Sequence, residues 1–293
     1  MELHCREIAS PNVFNFIVSL IILAGVIVSY LPQHYRLISR KTSVGISPYF
    51  LLLGTASSIA GFANITLQPK SQRDVSCCTE IGGFACFATL LGILQVGSGL
   101  LCFVLIMILY VIYVPRTPTL TSIQSPSRRP DFHVAVTVAT LCLAFFLTTL
   151  GLSIVVELWY PKHLQLLANC FGVTSAVLAS VQYFPQIYTT FQLRCVGSLS
   201  IPMMCIQTPG SFVWAASLAA RVGLEGWSTW GVPIVSAMLQ GSLLVMGVYF
   251  EYIRPLKSGE DTPSSATPTA EIEEGTGRAP DENTPLLREG NTS

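Results

Sequence analysis

Seven long apolar runs divide this chain, at about 12–33, 46–66, 88–113, 132–157, 164–188, 199–220 and 229–252. Each approaches the ~20 mostly apolar residues needed to cross ~30 Å of hydrocarbon. In lipid, every main-chain polar group must find its partner inside the protein, which leaves helices or closed barrels. The runs are about twice too long for barrel strands and lack their alternation, so each reads as a helix. Charge agrees with this reading. The chain is 51% hydrophobic and only 11% charged, against about 25% in a soluble domain, and its charges cluster between the runs. The third run is apolar from about Ile81, and a helix from there to Tyr113 would be ~50 Å long, so part is expected to protrude or tilt. The opening "MELHCREIAS" has no basic region, and the run after it is long for a signal peptide, so the first helix is expected to be retained.

Loop charges give an orientation. Nine basic residues flank the runs on the side of Arg36, Arg116 and Arg254, and five flank them on the side of Arg6, Lys70 and Arg221. The richer side is expected to be cytosolic, with the amino terminus lumenal and the carboxyl terminus cytosolic. Residues 258–293 hold eight acids and two arginines and are rich in Ser, Thr, Pro and Gly. Such a segment cannot bury enough to fold, so it is read as a disordered cytosolic tail. Of nine cysteines, Cys86, Cys102, Cys142, Cys170 and Cys205 fall in or beside apolar runs, where Cys packs as a small hydrophobe. Cys5, Cys77 and Cys78 share the lumenal side, and a bridge from Cys5 to Cys77 or to Cys78 is left open. With four histidines and no Cys-x-x-Cys, no metal or other cofactor is expected.

A repeat organises the runs. "SYLPQHY" at 29–35 returns as "QYFPQIY" at 182–188, so Tyr30, Pro32, Gln33 and Tyr35 match Tyr183, Pro185, Gln186 and Tyr188. Val44-Gly45 then pairs with Val196-Gly197 and Ser47 with Ser200, with one residue inserted, and Pro48 and Pro202 open the next helices. Gln95 in the third run aligns with Gln240 in the seventh. The fold class that follows is an all-α membrane protein in which two parallel three-helix bundles are joined by a linker helix, 3+1+3. The seven-helix domain spans 1–257, with repeat one at 12–113, the linker at 132–157 and repeat two at 164–252.

The paired "LPQ" and "FPQ" segments, each followed by Val-Gly and a Ser before a new helix, resemble the PQ-loop repeat family. That family includes cystinosin-like lysosomal amino acid exporters, and SWEET sugar transporters share its fold. The resemblance covers residues 12 to about 252. It implies hinge prolines near the cytosolic mouth, at Pro32, Pro48, Pro185 and Pro202. A proline within a helix removes one donor and clashes with the carbonyl four residues back; Gln33 and Gln186 are the candidates to satisfy the freed groups. The resemblance also implies an amide pair lining a solute pocket, for which Gln95 and Gln240 stand here. Several proton-coupled members carry an acidic residue near the second PQ segment, and "PQIYTTFQLRC" has none, which puts proton coupling in doubt.

Polar groups at bilayer depth usually face the bundle interior. Asn64, Asn169 and Gln207, with Trp214 as an apolar wall, therefore complete the candidate solute-binding set, although amides between helices also serve as glue worth only ~0.6–2 kcal/mol. Asn64 opens an Asn-Ile-Thr sequon too close to the membrane for modification. In the tail, Glu282 followed by Leu286-Leu287 resembles an acidic dileucine sorting signal, which implies a sorting adaptor as partner and a vacuolar or lysosomal address. No Gly-x-Ser-x-Gly, His-Glu-x-x-His or paired intramembrane aspartate occurs, so an enzyme is not expected, nor is a nucleic-acid partner. The expected function is transport of a small neutral or zwitterionic solute, of the amino acid or sugar class, by alternating access. The alternative is a seven-helix nutrient-sensing receptor without transport. Oligomeric state is not legible in the sequence.

Overall fold

The computed structural model describes residues 5–6, 8–43, 46–114, 132–193 and 201–250. Among them lie eight α-helices: α1 Val13–Arg40, α2 Pro48–Leu67, α3 Pro69–Cys77, α4 Gly83–Ile112, α5 Phe132–Trp159, α6 Leu164–Leu193, α7 Ile201–Val222 and α8 Trp227–Val248, with a 3-10 turn at Pro161–His163. No strand occurs among the described residues. Six segments are long and apolar enough to cross a bilayer: α1, α2, α4, α5, Pro161–Pro185 and α8. The 22-residue α7 is not among the six; it carries Gln207, Thr208, Ser211, Ser217 and Arg221 along its length. Large apolar side chains such as Phe14, Ile21, Leu101, Leu147 and Val245 stand exposed on the outside, which suits hydrocarbon and not water.

Local chemistry sets the helix ends. Asn12 caps α1, its Oδ1 accepting from Phe14 N at 2.9 Å and Asn15 N at 3.4 Å, which meets donors the first turn leaves without helical partners. Ser47 caps α2 and Pro48 takes its first position, where a missing N–H costs nothing. Gly223, at φ 77°, ends α7 in the left-handed region that glycine alone enters freely.

The prolines sit deeper than the run boundaries suggested. Helix α1 continues to Arg40 and α6 to Leu193, so Pro32 and Pro185 are both interior, each eight residues before its helix ends. Around Pro32, Ser29 Oγ donates to Val26 O at 2.7 Å and His34 Nδ1 lies 2.8 Å from Tyr30 O. Ser29 and His34, and not Gln33, are thus the side chains that meet the main chain there. Pro209 and Pro233 are also interior, in α7 and α8. Pro202 is the second residue of α7. The side chains of Gln186 and Pro202, the Val-Gly pairs, Ser200 and the tail with Glu282, Leu286 and Leu287 lie outside the described residues.

Helices α1, α2 and α4 pack together, as do α6, α7 and α8, while α5 lies against α2. A core of Leu37, Leu51, Ile106, Met107, Tyr110 and Val138 joins α1, α2, α4 and α5. A second, of Ala63, Leu67, Ala168 and Phe171, joins α2 to α6. Met204 and Leu243 anchor α7 on α8, against Tyr183 and Ile187 of α6.

Two disulfides stand at one end of the bundle, Cys5–Cys77 and Cys78–Cys86. The first is one of the two pairings left open for Cys5. The second corrects the reading of Cys86 as a packing residue: it lies in the first turn of α4, beside the end of α3, where its partner is eight residues away. The bridges tie the segment before α1 to α3, and α3 to α4.

Candidate functional site

The two groups of helices meet along two seams, α2 against α6 and α1 against α7, which the repeat makes counterparts. They are built differently. At the α2–α6 seam, contacts recur every seven residues. Phe50 O accepts from Gln182 Nε2 at 3.4 Å, Ser57 and Ser175 bond to each other, and Asn64 Nδ2 donates to Ala168 O at 2.7 Å. A seven-residue step is ~10.5 Å, about two turns, so one face of each helix meets the other along its length. Gly172 lets α6 approach α8 and the Asn64 side chain: a Cβ there would stand 2.6 Å from Ser228 Cβ and 2.8 Å from Asn64 Nδ2.

A neutral network closes this seam at the end that carries the disulfides. Asn64, fully buried, also donates to Ser228 Oγ at 2.8 Å and accepts from Thr229 Oγ1. Ser228 Oγ donates to Asn169 Oδ1 at 2.8 Å, and Gln165 Nε2 donates to Glu225 O at 2.9 Å. The amide of Asn64 thus has protein partners at both its ends. Asn64 and Asn169 join α2, α6 and α8 here, and neither lines the cavity described next. The buried Asn64 side chain also keeps its sequon from the surface.

The α1–α7 seam holds a cavity of about 500 Å³ instead. Its walls come from the segment before α1 (Ile8 to Asn12) and from α1, α3, α4 and α7, and its polar lining includes Asn15, Ser19, Lys70, Asp74, Ser217 and Arg221. Arg221 ties the halves together below it. Its Nη1 donates to Ala88 O at 2.8 Å and Thr89 O at 3.3 Å on α4, and its Nη2 donates to Ser19 Oγ at 2.7 Å on α1. Gly92 makes room for the stem: a Cβ there would lie 3.2 Å from Arg221 Cδ. Lys70 reaches the turn after α7, its Nζ 3.9 Å from where a Cβ on Gly223 would stand, and a cation suits the negative end of that helix. Lys70 and Arg221 were read from sequence only as loop charges, and Asp74 was not singled out.

The structure does not bring Gln95 and Gln240 together. Gln95, fully buried, donates from Nε2 to Ser19 O at 2.9 Å. Gln240 donates from Nε2 to Tyr183 OH at 2.7 Å. Tyr183 matches Tyr30, which is eleven residues past Ser19 on α1, or ~16 Å farther along the helix. The contacts supply another register for α4 and α8. Tyr30 stacks edge-on against Phe103 as Tyr183 meets Gln240, and Gly92 lies near Leu218 as Thr229 meets Asn64. Both pairs match Gln240 to Phe103, eight positions from the sequence alignment.

Toward the other end, repeat two therefore presents polar groups where repeat one presents an aromatic ring. Among the described residues, the buried Gln240 Oε1, Thr208 Oγ1, Trp214 Nε1 and Gln95 Oε1 have no hydrogen-bond partner. Thr208 packs beside Gln240, its Cγ2 3.4 Å from a Cβ built on Gly241. Gln207 is half-buried on the same helix, and its carbonyl accepts from Ser211 Oγ at 2.9 Å.

Two helix groups, each with an interior proline beside a glutamine and a tyrosine, define a duplicated membrane-helix protein. A model of the PQ loop repeat matches two stretches of the chain, residues 14–74 and 167–227, one in each helix group. The chain is similar to the uncharacterized protein C4C5.03 of Schizosaccharomyces pombe, 29% identical over 251 residues, which span 80% of each chain.

Proposed function

We propose that the protein is a seven-helix 3+1+3 transporter that moves a small neutral or zwitterionic solute across a vacuolar or lysosomal membrane by alternating access. The observation that carries this is the difference between the two seams. One is bonded along its length, and its counterpart holds a half-open cavity of about 500 Å³, within the usual range for a small-molecule site. Two halves that turn on a closed seam open and shut the other. Pro32 and Pro185, at equal distances from their helix ends, are the bending points, with Gln33, Gln186, Pro48 and Pro202 beside them. The unpartnered polar atoms of Gln240, Thr208, Trp214 and Gln95 are groups a passing solute can meet. The chain is no enzyme in this reading.

The disulfides support a lumenal amino terminus, because such bonds persist in oxidising compartments. The loop charges agree. Glu282, Leu286 and Leu287 in the cytosolic tail would then bind a sorting adaptor.

The test is uptake into liposomes holding the purified full chain, with a panel of sugars and amino acids, with and without a pH gradient. Saturable flux of any solute supports the reading. Binding of a solute with no flux in any condition would instead assign a nutrient-sensing receptor.

A further inference from the structure

We propose that the Cys5–Cys77 disulfide is a redox-sensitive clasp on the cavity between α1 and α7. Intact, it holds residues 8–12 as a wall of that cavity; opened by a small-molecule thiol, it lets the wall go. Its purpose rests on the solute-site reading above, while the device itself needs no solute.

The wall has no core of its own. None of residues 8–12 is buried, although Ile8, Ser10, Pro11 and Asn12 all line the cavity. A stretch without core contacts opens at small cost. Its fixings are at its ends. Ala9 N donates to Cys5 O at 3.1 Å, Cys5 is bonded to Cys77 at the end of α3, and Asn12 caps α1. Repeat two fixes the matching segment with chain instead. Counting from Pro32 and Pro185, residues 8–12 match 161–165, and the turn at Pro161–His163 follows one residue after α5. A peptide link is permanent, whereas thiol exchange undoes a disulfide. Leu67 is the repeat counterpart of Arg221, and its seam closes with neutral amides and hydroxyls. Bond and cavity occur together, at one seam of the two.

The second disulfide sets an order. Cys5 and Cys77 are only 6% and 2% exposed, so a thiol has no direct approach to their bond. Cys78 and Cys86 are half-buried and within reach. Their bond holds the end of α3 against α4, and Cys77 is the residue before Cys78. Opening Cys78–Cys86 therefore frees the end of α3 and uncovers Cys5–Cys77. Each opening consumes two thiols. The first attacks one sulfur and leaves a mixed disulfide and a cysteine; the second resolves the mixed disulfide and frees the other cysteine. The two thiol protons end on the cysteines, and the thiol leaves oxidised as its own disulfide.

The test treats the purified full chain in detergent with graded dithiothreitol, then reoxidises it. Alkylation with peptide mapping follows each bond, and hydrogen exchange by mass spectrometry follows the wall. Cys78 and Cys86 should become alkylated before Cys5 and Cys77. Once Cys5–Cys77 opens, exchange in residues 8–19 should rise at least ~10-fold, stay unchanged around Ser57 and Ser175, and fall back on reoxidation. In Cys78→Ser with Cys86→Ser, Cys5–Cys77 should open at ~10-fold less dithiothreitol or lower. Should that variant not fold, the order of alkylation in the unaltered chain decides the same point. Cys5–Cys77 opening first, or surviving until the chain unfolds, overturns the proposal. So does exchange that stays low in residues 8–19 after the bond opens, or that rises equally at Ser57 and Ser175. None of these readouts needs a solute, so a chain without flux in liposomes can still pass and a transporting chain can still fail.

Discussion

Ser57 and Ser175 exchange hydrogen bonds across the α2–α6 seam. Each hydroxyl donates to the other's main-chain carbonyl at 2.9 Å, and the two oxygens are 3.2 Å apart. With both residues buried, no water competes. The pair sits midway between the Gln182–Phe50 and Asn64–Ala168 contacts, and in the proposed transport cycle this seam is the fixed one. Ser57→Ala or Ser175→Ala should each cost about 1 kcal/mol, the range for hydrogen bonds between membrane helices. Because the bonds share their residues, the double variant should cost less than the sum of the singles. Unfolding in mixed micelles measures this. Flux should be little changed, since the contact is not expected to break in the cycle.

Gly172→Leu should be far more damaging. Its Cβ alone would meet Ser228 Cβ at 2.6 Å and Asn64 Nδ2 at 2.8 Å, so α6 must leave α8 and the Asn64 network. We expect a loss above about 2 kcal/mol and a drop in folded yield by size-exclusion chromatography. Gly25→Leu, with nothing within 4 Å, is the control and should fold normally.

Pro32→Ala and Pro185→Ala should stiffen α1 and α6. Alanine restores a donor and removes the clash with the carbonyl one turn back. If these are the bending points, each variant should melt at a higher temperature and turn over more slowly, with the double variant slowest. Flux and thermal shift on the same preparation decide this; unchanged turnover in the double variant would remove the hinge role.

Peptide mapping by mass spectrometry without reductant should recover Cys5 joined to Cys77 and Cys78 joined to Cys86. Cys5→Ser opens a loop whose ends are 72 residues apart in sequence, and losing such a bond typically costs about 2–4 kcal/mol. We expect a lower melting temperature and weaker solute binding, because residues 8–12 then leave the cavity wall. Cys102→Ser should change neither.

Much of this fold was legible in the sequence because lipid makes strong demands. Long apolar runs could only be helices, and a proline–glutamine pair seen twice fixed the repeat. The register of α4 against α8 was not legible. The slip of eight positions is two helical turns plus about 80°, which still falls within a broad apolar stripe, so hydrophobic pattern alone does not reject it. Without a proline or Val-Gly landmark in these helices, one matching glutamine decided the alignment, and tertiary contacts overruled it. Arg221 was missed for another reason. At a helix end a long cation can extend outward to water or fold inward, and only the packing of Gly92 opposite it shows which. Cys86 likewise read as a core residue until α3 brought Cys78 beside it.

The inequality of the seams bears on how a doubled ancestor diverges. When both halves are identical, each substitution alters both junctions, and neither can specialise. Once Leu67 and Arg221 differ, one junction can serve as the axle and the other as the doorway of the proposed transport cycle, and each is free to drift under its own selection. Variation among descendants should then be unequal: conserved small residues along the axle, and chemistry that changes with the cargo around the doorway.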